Sequence, residues 1–368
     1  MSLNPLVSIL MTSYNRERLI GEAIESVLAQ TFTDFELLIS DDGSGDDSVG
    51  VISAISDPRI RLFPNAENRG ACIVTNELIE RASGQYVALI NSDDEWVPEK
   101  LRTQFEFMEK NPAVGACFSQ VSWIDRDGRP LDDAAVSFGT VFKQPNRSKQ
   151  EWLRHFFFKG NCLCHPSVLI RRECYQKLGL YDNRLRQLPD FEMWVRVVKK
   201  YDLHILDAAL VRFRVLPGEN VSSPTAANLQ RSNNELFFIF RSFFDGVSAS
   251  LLRGGFGDLM LTPDADDEVD IDIEKAFLYF SPGLWNQGIY QVIALDKLHS
   301  MLARETHRHV LQARYKFDDR AFQARSAATI TFKLPGVPAA VDLEKVAGRD
   351  MISALLRRVS QRLGVTKR

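Results

Sequence analysis

Residues 7–32 read VSILMTSYNRERLIGEAIESVLAQTF, and this stretch decides the fold class. Together with Leu6, its first residues form an apolar and partly β-branched run that ends at Met11 and predicts a strand. After a polar break, apolar residues recur at helical spacing: Ile20, Ala23, Ile24, Val27 and Leu28. A strand, a polar loop and an amphipathic helix in this order predict the first unit of an α/β fold.

The same alternation repeats along the next sixty residues. Strands are predicted over residues 35–40, 60–63 and 86–90, and helices over residues 46–55 and 71–81. Gly84 is expected to end the second of these helices. Strands that alternate with helices predict a mostly parallel sheet with right-handed crossovers and helices on its faces.

Polar residues follow three of the four predicted strands. They form the segments 12–15 (TSYN), 41–44 (DDGS) and 91–95 (NSDDE). In open parallel sheets the ligand lies beyond the carboxyl ends of the strands, so these segments are expected to share one binding rim. Clustered carboxylates repel one another unless a cation or hydrogen-bond donors share the site. Mg²⁺ or Mn²⁺ would accept such carboxylates together with ligand phosphates, which predicts a diphosphate site.

Two other phosphate-binding motifs are excluded by the sequence. Gly43 and Gly45 follow a strand, but Ser48 occupies the third glycine position of the GxGxxG motif. The chain contains no GxxxxGK followed by Ser or Thr, which excludes a P-loop. Recognition of the phosphates through a metal is the interpretation that remains.

Composition bounds the class of partner and the compartment. Lys and Arg total 45 against 48 Asp and Glu, so the net charge of −3 offers no basic field, and no nucleic-acid partner is expected. The five cysteines lack the paired spacing of a zinc site and indicate reduced thiols. Because neither a signal segment nor an apolar run of roughly 18 residues occurs, a cytoplasmic protein is expected.

Residues 5–222 resemble the family 2 glycosyltransferases of the GT-A fold, which is a Rossmann-like, mostly parallel sheet flanked by helices. The opening stretch is similar to the family's first strand and helix, DDGS (41–44) to its uridine-reading loop, and NSDDEW (91–96) to its metal-binding DxD element. HPSVLIRRECYQKLGLYD (165–182) and LPDFEMWVRV (188–197) are similar to two later family segments.

The resemblance implies a role for each matching residue. Nucleotide-sugar binding falls to Asp41 and to Thr12, Tyr14 and Asp42, which would contact the uracil. Asp93 would lie near the ribose or donor sugar, and Arg69 near the diphosphate or donor sugar. Asp94 would hold Mn²⁺ or Mg²⁺, and Asp190 would be the catalytic base. His165 and Trp194 are candidates for the acceptor site.

Three positions depart from the family pattern, and one of them is Thr75, where the family commonly has an arginine in the helix after the NRG loop. Asn91 stands where the family has the first acid of its DxDD element, and Pro189 where it has a glutamate before the base. The expected reaction is inverting transfer from a UDP-sugar, or another nucleotide-diphosphate sugar, to a hydroxyl of a glycan or lipid-linked acceptor in bacterial surface polysaccharide synthesis. A non-catalytic nucleotide-sugar-binding module and a metal-dependent nucleotidyltransferase are the alternatives.

Simpler interpretations exist for several of these residues. Asp190 precedes a helical pattern and could be an N-cap, and the Asp41–Asp42 pair before a glycine could be a plain turn. The acids at 93–95 could sit near the positive end of a helix dipole. His165 could be a buried, hydrogen-bonded histidine.

The last third of the chain predicts a mainly α-helical extension. The boundary is placed at residue 222, which gives a catalytic domain over 1–222 and an extension over 223–368. Helices are predicted over 229–244 and 284–303, and the acidic run 264–274 is interpreted as a solvated loop. The extension could cover the acceptor cleft or form a homodimer contact.

Residues 350–368 predict a basic amphipathic helix. It could lie on the anionic inner face of the cytoplasmic membrane as a peripheral contact, or dock on its own protein.

Overall fold

The computed structural model describes residues 5–219 and 225–329. Its strands are β1 (Val7–Ser13), β2 (Phe35–Asp41), β3 (Ile60–Pro64), β4 (Tyr86–Asn91), β5 (Glu95–Trp96), β6 (Val114–Ile124), β7 (Pro130–Leu131), β8 (Leu169–Arg171) and β9 (Asp202–Arg214). They form one sheet in the order β3-β2-β1-β4-β8-β6-β9-β5, and β7 pairs with β6. The sheet is flanked by helices on its faces.

The helices of the first two thirds are α1 (Ile20–Leu28), α2 (Ser48–Ser53), α3 (Ala71–Arg81), α4 (Lys100–Lys110), α5 (Lys149–Lys159), α6 (Arg172–Leu178) and α7 (Pro189–Val198). Those of the last third are α8 (Ala226–Arg241), α9 (Ala249–Phe256), α10 (Glu268–Leu278), α11 (Gln287–Leu302), α12 (Glu305–Ala313) and α13 (Asp319–Ala328). The expected α/β fold with a helical C-terminal region is confirmed.

The parallel half of the sheet sets the binding rim. Strands β3, β2, β1 and β4 run parallel to one another. Strands β1 and β2 are buried on both faces, which explains their nearly continuous apolar sequences. In this register Thr12 lies beside both Ser40 and Asn91. The polar segments that follow the three strands therefore meet at one edge of the sheet.

The other half of the sheet is mixed. Strand β8 pairs antiparallel with β4 and β6, β5 pairs antiparallel with β9, and β6 and β9 run parallel over their lengths. Strand β9 thereby brings its last residue, Arg214, to the loop after β4. Sequence periodicity does not show such pairings, because they join segments far apart in the chain.

Gly84 has a different role from the one expected. Helix α3 spans the predicted 71–81, but its C-cap residue is Ala82 in an extended conformation. A Cβ atom on Gly84 would lie 2.5 Å from the backbone nitrogen of Ser8. The glycine is needed because the chain passes close to β1, and not because it caps a helix.

Only the first part of the acidic run 264–274 is a solvated loop, since from Glu268 onward the run forms helix α10. Asp267 caps α10, its side chain accepting from the Val269 N–H at 2.8 Å, and Glu274 within the helix is fully buried. The Glu274 carboxylate accepts the backbone N–H groups of Leu261 and Thr262. The sequence pattern cannot distinguish a buried acid that accepts hydrogen bonds from another segment from an acid that is exposed to solvent.

The C-terminal helices share a hydrophobic cluster with the first part of the chain. The Phe157 ring on α5 contacts Phe240 and Phe244, and its carbonyl accepts from the Tyr290 hydroxyl. The predicted boundary at 222 and the helix predicted over 350–368 lie outside the described residues. Within the described ranges, the helices are all too short or too polar to span a bilayer.

Candidate active site

The loops after β1 and β2 are tied together at the rim. Asn15 adopts a positive φ of 53°, and its side chain accepts from the Gly45 N–H at 2.8 Å, while its own N–H donates to the Ser44 hydroxyl at 2.9 Å. Thr12 is partly buried, whereas the Tyr14 ring is 47% exposed. An aromatic face is therefore open to solvent beside the strand ends, where a base could stack on it.

Asp42 binds the loop that contains the sequence NRG at residues 68–70. Its side chain is only 3% exposed, and its two oxygens accept from the backbone N–H groups of Arg69 at 2.8 Å and Gly70 at 2.9 Å. Gly43 has a φ of 73°, and a Cβ there would lie 2.4 Å from the carbonyl carbon of Glu67. Each carboxylate oxygen has a second lone pair, so Asp42 can still accept from a ligand.

Asp41 is used within its own turn. Its carboxylate accepts from the Ser44 N–H at 2.9 Å and from the Ser44 hydroxyl at 2.6 Å, and it is buried. These bonds form the local turn that an aspartate before glycine favours. Asp41 therefore shapes the loop that presents Asp42.

Arg16, and not Arg69, contacts the acidic pair Asp93 and Asp94, through Asp93. The Arg69 guanidinium forms an ion pair with Glu77 of α3. The Arg16 Nε donates to the Asp93 carboxylate at 3.3 Å. The sequence signal for Arg16 was its place directly after Asn15 in the strand-end loop.

Asp94 is enclosed by protein groups. It is 1% exposed, and its oxygens accept from the Arg214 backbone N–H and from the Asn91 side-chain amide, both at 2.8 Å. Burial and the neighbouring Asp93 charge raise the pKa of Asp94 well above its usual range. The family pattern has a carboxylate at position 91, whereas here the Asn91 amide donates a hydrogen bond to Asp94.

Arg214 holds the loop after β4 in place, and no sequence pattern pointed to this residue. The Arg214 side chain is 1% exposed, and its Nε donates to the Asp93 carbonyl at 2.8 Å. Its other nitrogens donate to the carbonyls of Asp125 and Arg126 and form ion pairs at 2.6 Å with Glu22 and Glu95. One buried guanidinium therefore joins the segment after β4, the turn at residues 125–126 and helix α1.

The acidic pair suits a hard divalent cation. Burial raises the pKa of Asp93 as well as that of Asp94, so the surrounding positive charge does not fully compensate the two carboxylates. Oxygen donors of this kind are those that Mg²⁺ and Mn²⁺ prefer. Across residues 5–219 and 225–329, no three His, Cys, Asp or Glu side chains converge as a complete metal centre. Further ligands would have to come from water and phosphate.

Asp190 lies at the start of α7 as its second residue. The N-cap is Leu188 and Pro189 is the first helical residue, so Asp190 is not the N-cap. The Asn161 amide donates to the Asp190 carboxylate at 2.8 Å. Burial raises the pKa of Asp190 above its ordinary value. Proline is favoured at this first helical position, so Pro189 is compatible with the helix start.

His165 lies close enough to Asp190 for its charge to act on that carboxyl, and Trp194 lies one turn further along α7. Among the described residues, the buried Trp194 Nε1 has no hydrogen-bond partner. The His165 Nε2 is 3.1 Å from the Tyr181 hydroxyl, and burial lowers the pKa of the imidazole. The Trp194 indole is fully buried and packs edge-on against Phe118. His165 is therefore partly buried and hydrogen-bonded, and its place in the acceptor site stays a prediction.

The charges of Asp94 and Asp190 both act on the buried Cys164 thiol. Burial raises the pKa of the Cys164 thiol well above its usual range, and the charges of Asp94 and Asp190 both raise it further. The Trp96 indole, next to the acidic loop, donates to the Pro166 carbonyl at 3.3 Å. The 164–167 segment thus connects the loop after β4 with the start of α7.

A cavity of about 1140 Å³ lies elsewhere, between the 182–185 loop and helices α7, α8, α10 and α11. None of the predicted site residues lines it. Its charged side chains pair with one another, as in Arg184 with Asp182 and Arg241 with Asp296. Its size alone therefore does not identify it as the reaction site.

The sequence matches the model of Glycosyl transferase family 2 over residues 8–179. It is also 31% identical over 210 residues to the putative colanic acid biosynthesis glycosyl transferase WcaA of Escherichia coli K12, a match that covers 55% of this chain and 69% of that protein. The chain belongs to glycosyltransferase family 2. The family match includes every predicted donor-site residue and His165, and it ends before Asp190 and Trp194.

Two solved structures share the fold of this family 2 member. A structure of S. aureus TarS 1-349 in complex with UDP-GlcNAc has a TM-score of 0.54 at 16% identity and covers 88% of this chain and 91% of that one. The mannosyltransferase PcManGT from Pyrobaculum calidifontis, in complex with GDP-Man and Mn²⁺, has a TM-score of 0.50 at 16% identity and covers 89% and 87%. At such identities the likeness establishes the GT-A fold alone.

Proposed function

We propose that this glycosyltransferase moves a sugar from a UDP-sugar to a hydroxyl of a glycan or lipid-linked acceptor, with inversion at the anomeric carbon. The observation that carries the proposal is the pairing of two acidic sites of different character. Asp93 and Asp94 follow the end of β4, where Asn91 and Arg214 hold Asp94. Asp190 lies at the start of α7, where the Asn161 amide holds it, and the charges of Asp94 and Asp190 both act on the Cys164 thiol. A leaving diphosphate and an attacking hydroxyl need two such sites on opposite sides of one carbon.

The donor is proposed to bind at the rim of β1, β2 and β4. Tyr14 offers an exposed ring for the base, with Thr12 beside it, and Asp42 offers carboxylate oxygens for a ring N–H. The TarS structure holds UDP-GlcNAc and the PcManGT structure holds GDP-Man, so the fold accepts either nucleotide. UDP is the proposal for this chain because its rim resembles the family's uridine-reading loop.

A divalent cation would be held by Asp94, with Asp93 beside it. Such an ion, when bound, supplies positive charge to the leaving diphosphate. Mn²⁺ accompanies GDP-Man in the PcManGT structure. The Asn91 amide and the Arg214 N–H orient the Asp94 carboxylate by hydrogen bonds to its two oxygens.

Asp190 is proposed as the base that takes the acceptor proton. Burial raises the pKa of Asp190 toward neutral pH, and a carboxylate with a higher pKa is a better proton acceptor than an ordinary aspartate. The Asn161 amide holds the carboxylate by one oxygen. Single displacement by the hydroxyl then inverts the anomeric carbon.

The acceptor class is proposed from chemistry and from one relative. WcaA is named for colanic acid biosynthesis, which is polysaccharide assembly. A growing glycan on the inner membrane face is the proposed acceptor. The division at residue 222, a homodimer contact and a peripheral membrane contact through residues 350–368 stay predictions.

The test uses the full chain with a panel of labelled nucleotide sugars, Mn²⁺ and glycan acceptors. Transfer with release of UDP that is lost in Asp94→Ala supports the proposal. Tight UDP binding without turnover on any acceptor would favour the binding-module alternative. Release of pyrophosphate from a nucleoside triphosphate and sugar phosphate would favour the nucleotidyltransferase.

A further inference from the structure

Glu235 of α8 contacts the loop that precedes Asp190. The glutamate is 4% exposed, and its carboxylate accepts three consecutive backbone N–H groups. Oε1 accepts from Arg186, and Oε2 accepts from Gln187 and Leu188, each at 2.8 Å. These N–H groups lie before the first turn of α7, so no bond within that helix satisfies them.

The anchored loop leads directly to the proposed base. Leu188 is the N-cap of α7, Pro189 follows, and Asp190 is next. Proline has a fixed φ, so little freedom remains between the Leu188 N–H and the Asp190 side chain. A carboxylate that fixes Leu188 therefore also fixes where Asp190 points.

Helix α8 provides a firm support for the glutamate. Its residues Leu236, Ile239 and Phe240 are buried, and the Tyr279 hydroxyl donates to the Phe240 carbonyl at 2.5 Å. The Phe240 ring also contacts Phe157 on α5. The helix is thus packed against the same core as the sheet.

The chemistry of the contact favours a carboxylate over an amide. Hydrogen bonds from N–H groups to a charged acceptor are stronger than neutral ones, and negative charge near a helix N-terminus is favourable. A glutamine has a single acceptor oxygen, and its NH₂ group would face at least one of the three N–H groups. Substitution by glutamine should loosen the loop without changing the volume of the side chain.

We propose that Glu235 is a positioning residue for sugar transfer: its carboxylate fixes residues 186–188 and so holds Asp190 for proton abstraction. This inference rests on the proposed function, because it requires Asp190 as the base. It gives the helical C-terminal region a part in the reaction step at a position outside the family match.

The experiment compares Glu235→Gln with the wild-type full chain. Misplacing a base by about 1 Å costs on the order of 10²-fold in rate, so kcat is expected to fall by about that factor. UDP affinity, measured by calorimetry, is expected to stay within about twofold, because the donor rim lies on other loops. Hydrogen exchange is expected to rise at residues 186–188.

Two further variants control for folding. Asp296→Asn removes the ion pair between α11 and Arg241 of α8 without touching the loop, and wild-type kcat is expected. Glu235→Asp keeps the charge on a shorter side chain, and it should restore part of the kcat that Glu235→Gln loses. A loss in Asp296→Asn as large as the loss in Glu235→Gln would overturn the positioning role, since any disturbance of α8 would then suffice.

A double-mutant cycle separates this inference from the proposed function. If Glu235 acts through Asp190, Glu235→Gln lowers the residual transfer of Asp190→Asn no further. The same factor of loss in both backgrounds would overturn the role of Glu235. Wild-type turnover in Asp190→Asn would instead overturn the proposed base, whereas an inactive Asp190→Asn beside a fully active Glu235→Gln would refute the positioning role alone.

Discussion

Two buried charges of opposite sign support the two acidic loops of this protein. Arg214, at the end of β9, donates to the Asp93 carbonyl and is neutralised by Glu22 and Glu95. Glu235, on α8, accepts three N–H groups of the loop before Asp190. The donor end, which is the rim of β1, β2 and β4, is thus supported by a residue of the sheet. The end that carries the proposed base Asp190 is supported by a residue of helix α8. The two ends should therefore respond separately to substitution.

The largest expected effect is on transfer by Asp190→Asn. Loss of the base should lower kcat by about 10²- to 10⁴-fold, because general bases contribute factors of that size. UDP affinity should be nearly unchanged, since the donor rim is formed by other loops. Single-turnover transfer and calorimetry with UDP measure the two quantities, and a parallel loss of UDP affinity would show that the two ends are not separate.

The next effect is on stability through Arg214→Met. Removing one partner of a buried ion pair costs about 3–5 kcal/mol, since the carboxylate and carbonyl partners lose their donor. Urea unfolding of the full chain measures the loss. Arg212→Met is the matched control two residues away, because Arg212 also pairs with Glu95 but is more exposed; about 0–1 kcal/mol is expected for it. Equal costs for both variants would remove the special status of Arg214.

A smaller effect is expected on pH dependence from Asn161→Ala. The Asn161 amide donates to the Asp190 carboxylate and lowers its pKa, against the burial that raises it. A base works when ionised, so transfer falls as pH falls through the pKa of Asp190. Removing the donor raises that pKa, and the acidic limb of the kcat profile should move to higher pH. An unmoved limb, or one that moves to lower pH, would speak against Asp190 as the titrating base.

The smallest effect is expected at the Arg69–Glu77 ion pair. The pair lies on the surface and is screened by solvent, so a double-mutant cycle in urea unfolding should give about 0–1 kcal/mol. Donor KM should change little in Arg69→Ala, because its side chain pairs with α3, and more in Arg16→Ala, because Arg16 contacts Asp93. The reverse order would restore the predicted role of Arg69 at the diphosphate.

Much of the donor end could be predicted from the sequence. The strands β1, β2 and β4 lie within one or two residues of their predicted bounds, and their polar ends meet because parallel strands share one edge. Arg214 could not be predicted, since its N–H reaches Asp94 across 120 positions of the chain. Glu235 was equally hidden, because one acid on an amphipathic helix shows no periodic signal.

The sequence by itself determined the alternation of strands and helices and the acids at the strand ends, because both depend on local pattern. Only the tertiary structure decided what each acid does. Asp41 closes a turn, Asp42 holds the NRG loop, and Asp94 is enclosed beside Asp93. The raised pKa of Asp190 is likewise a tertiary property. Burial and hydrogen-bond partners set these roles, and both are supplied by segments distant in the chain.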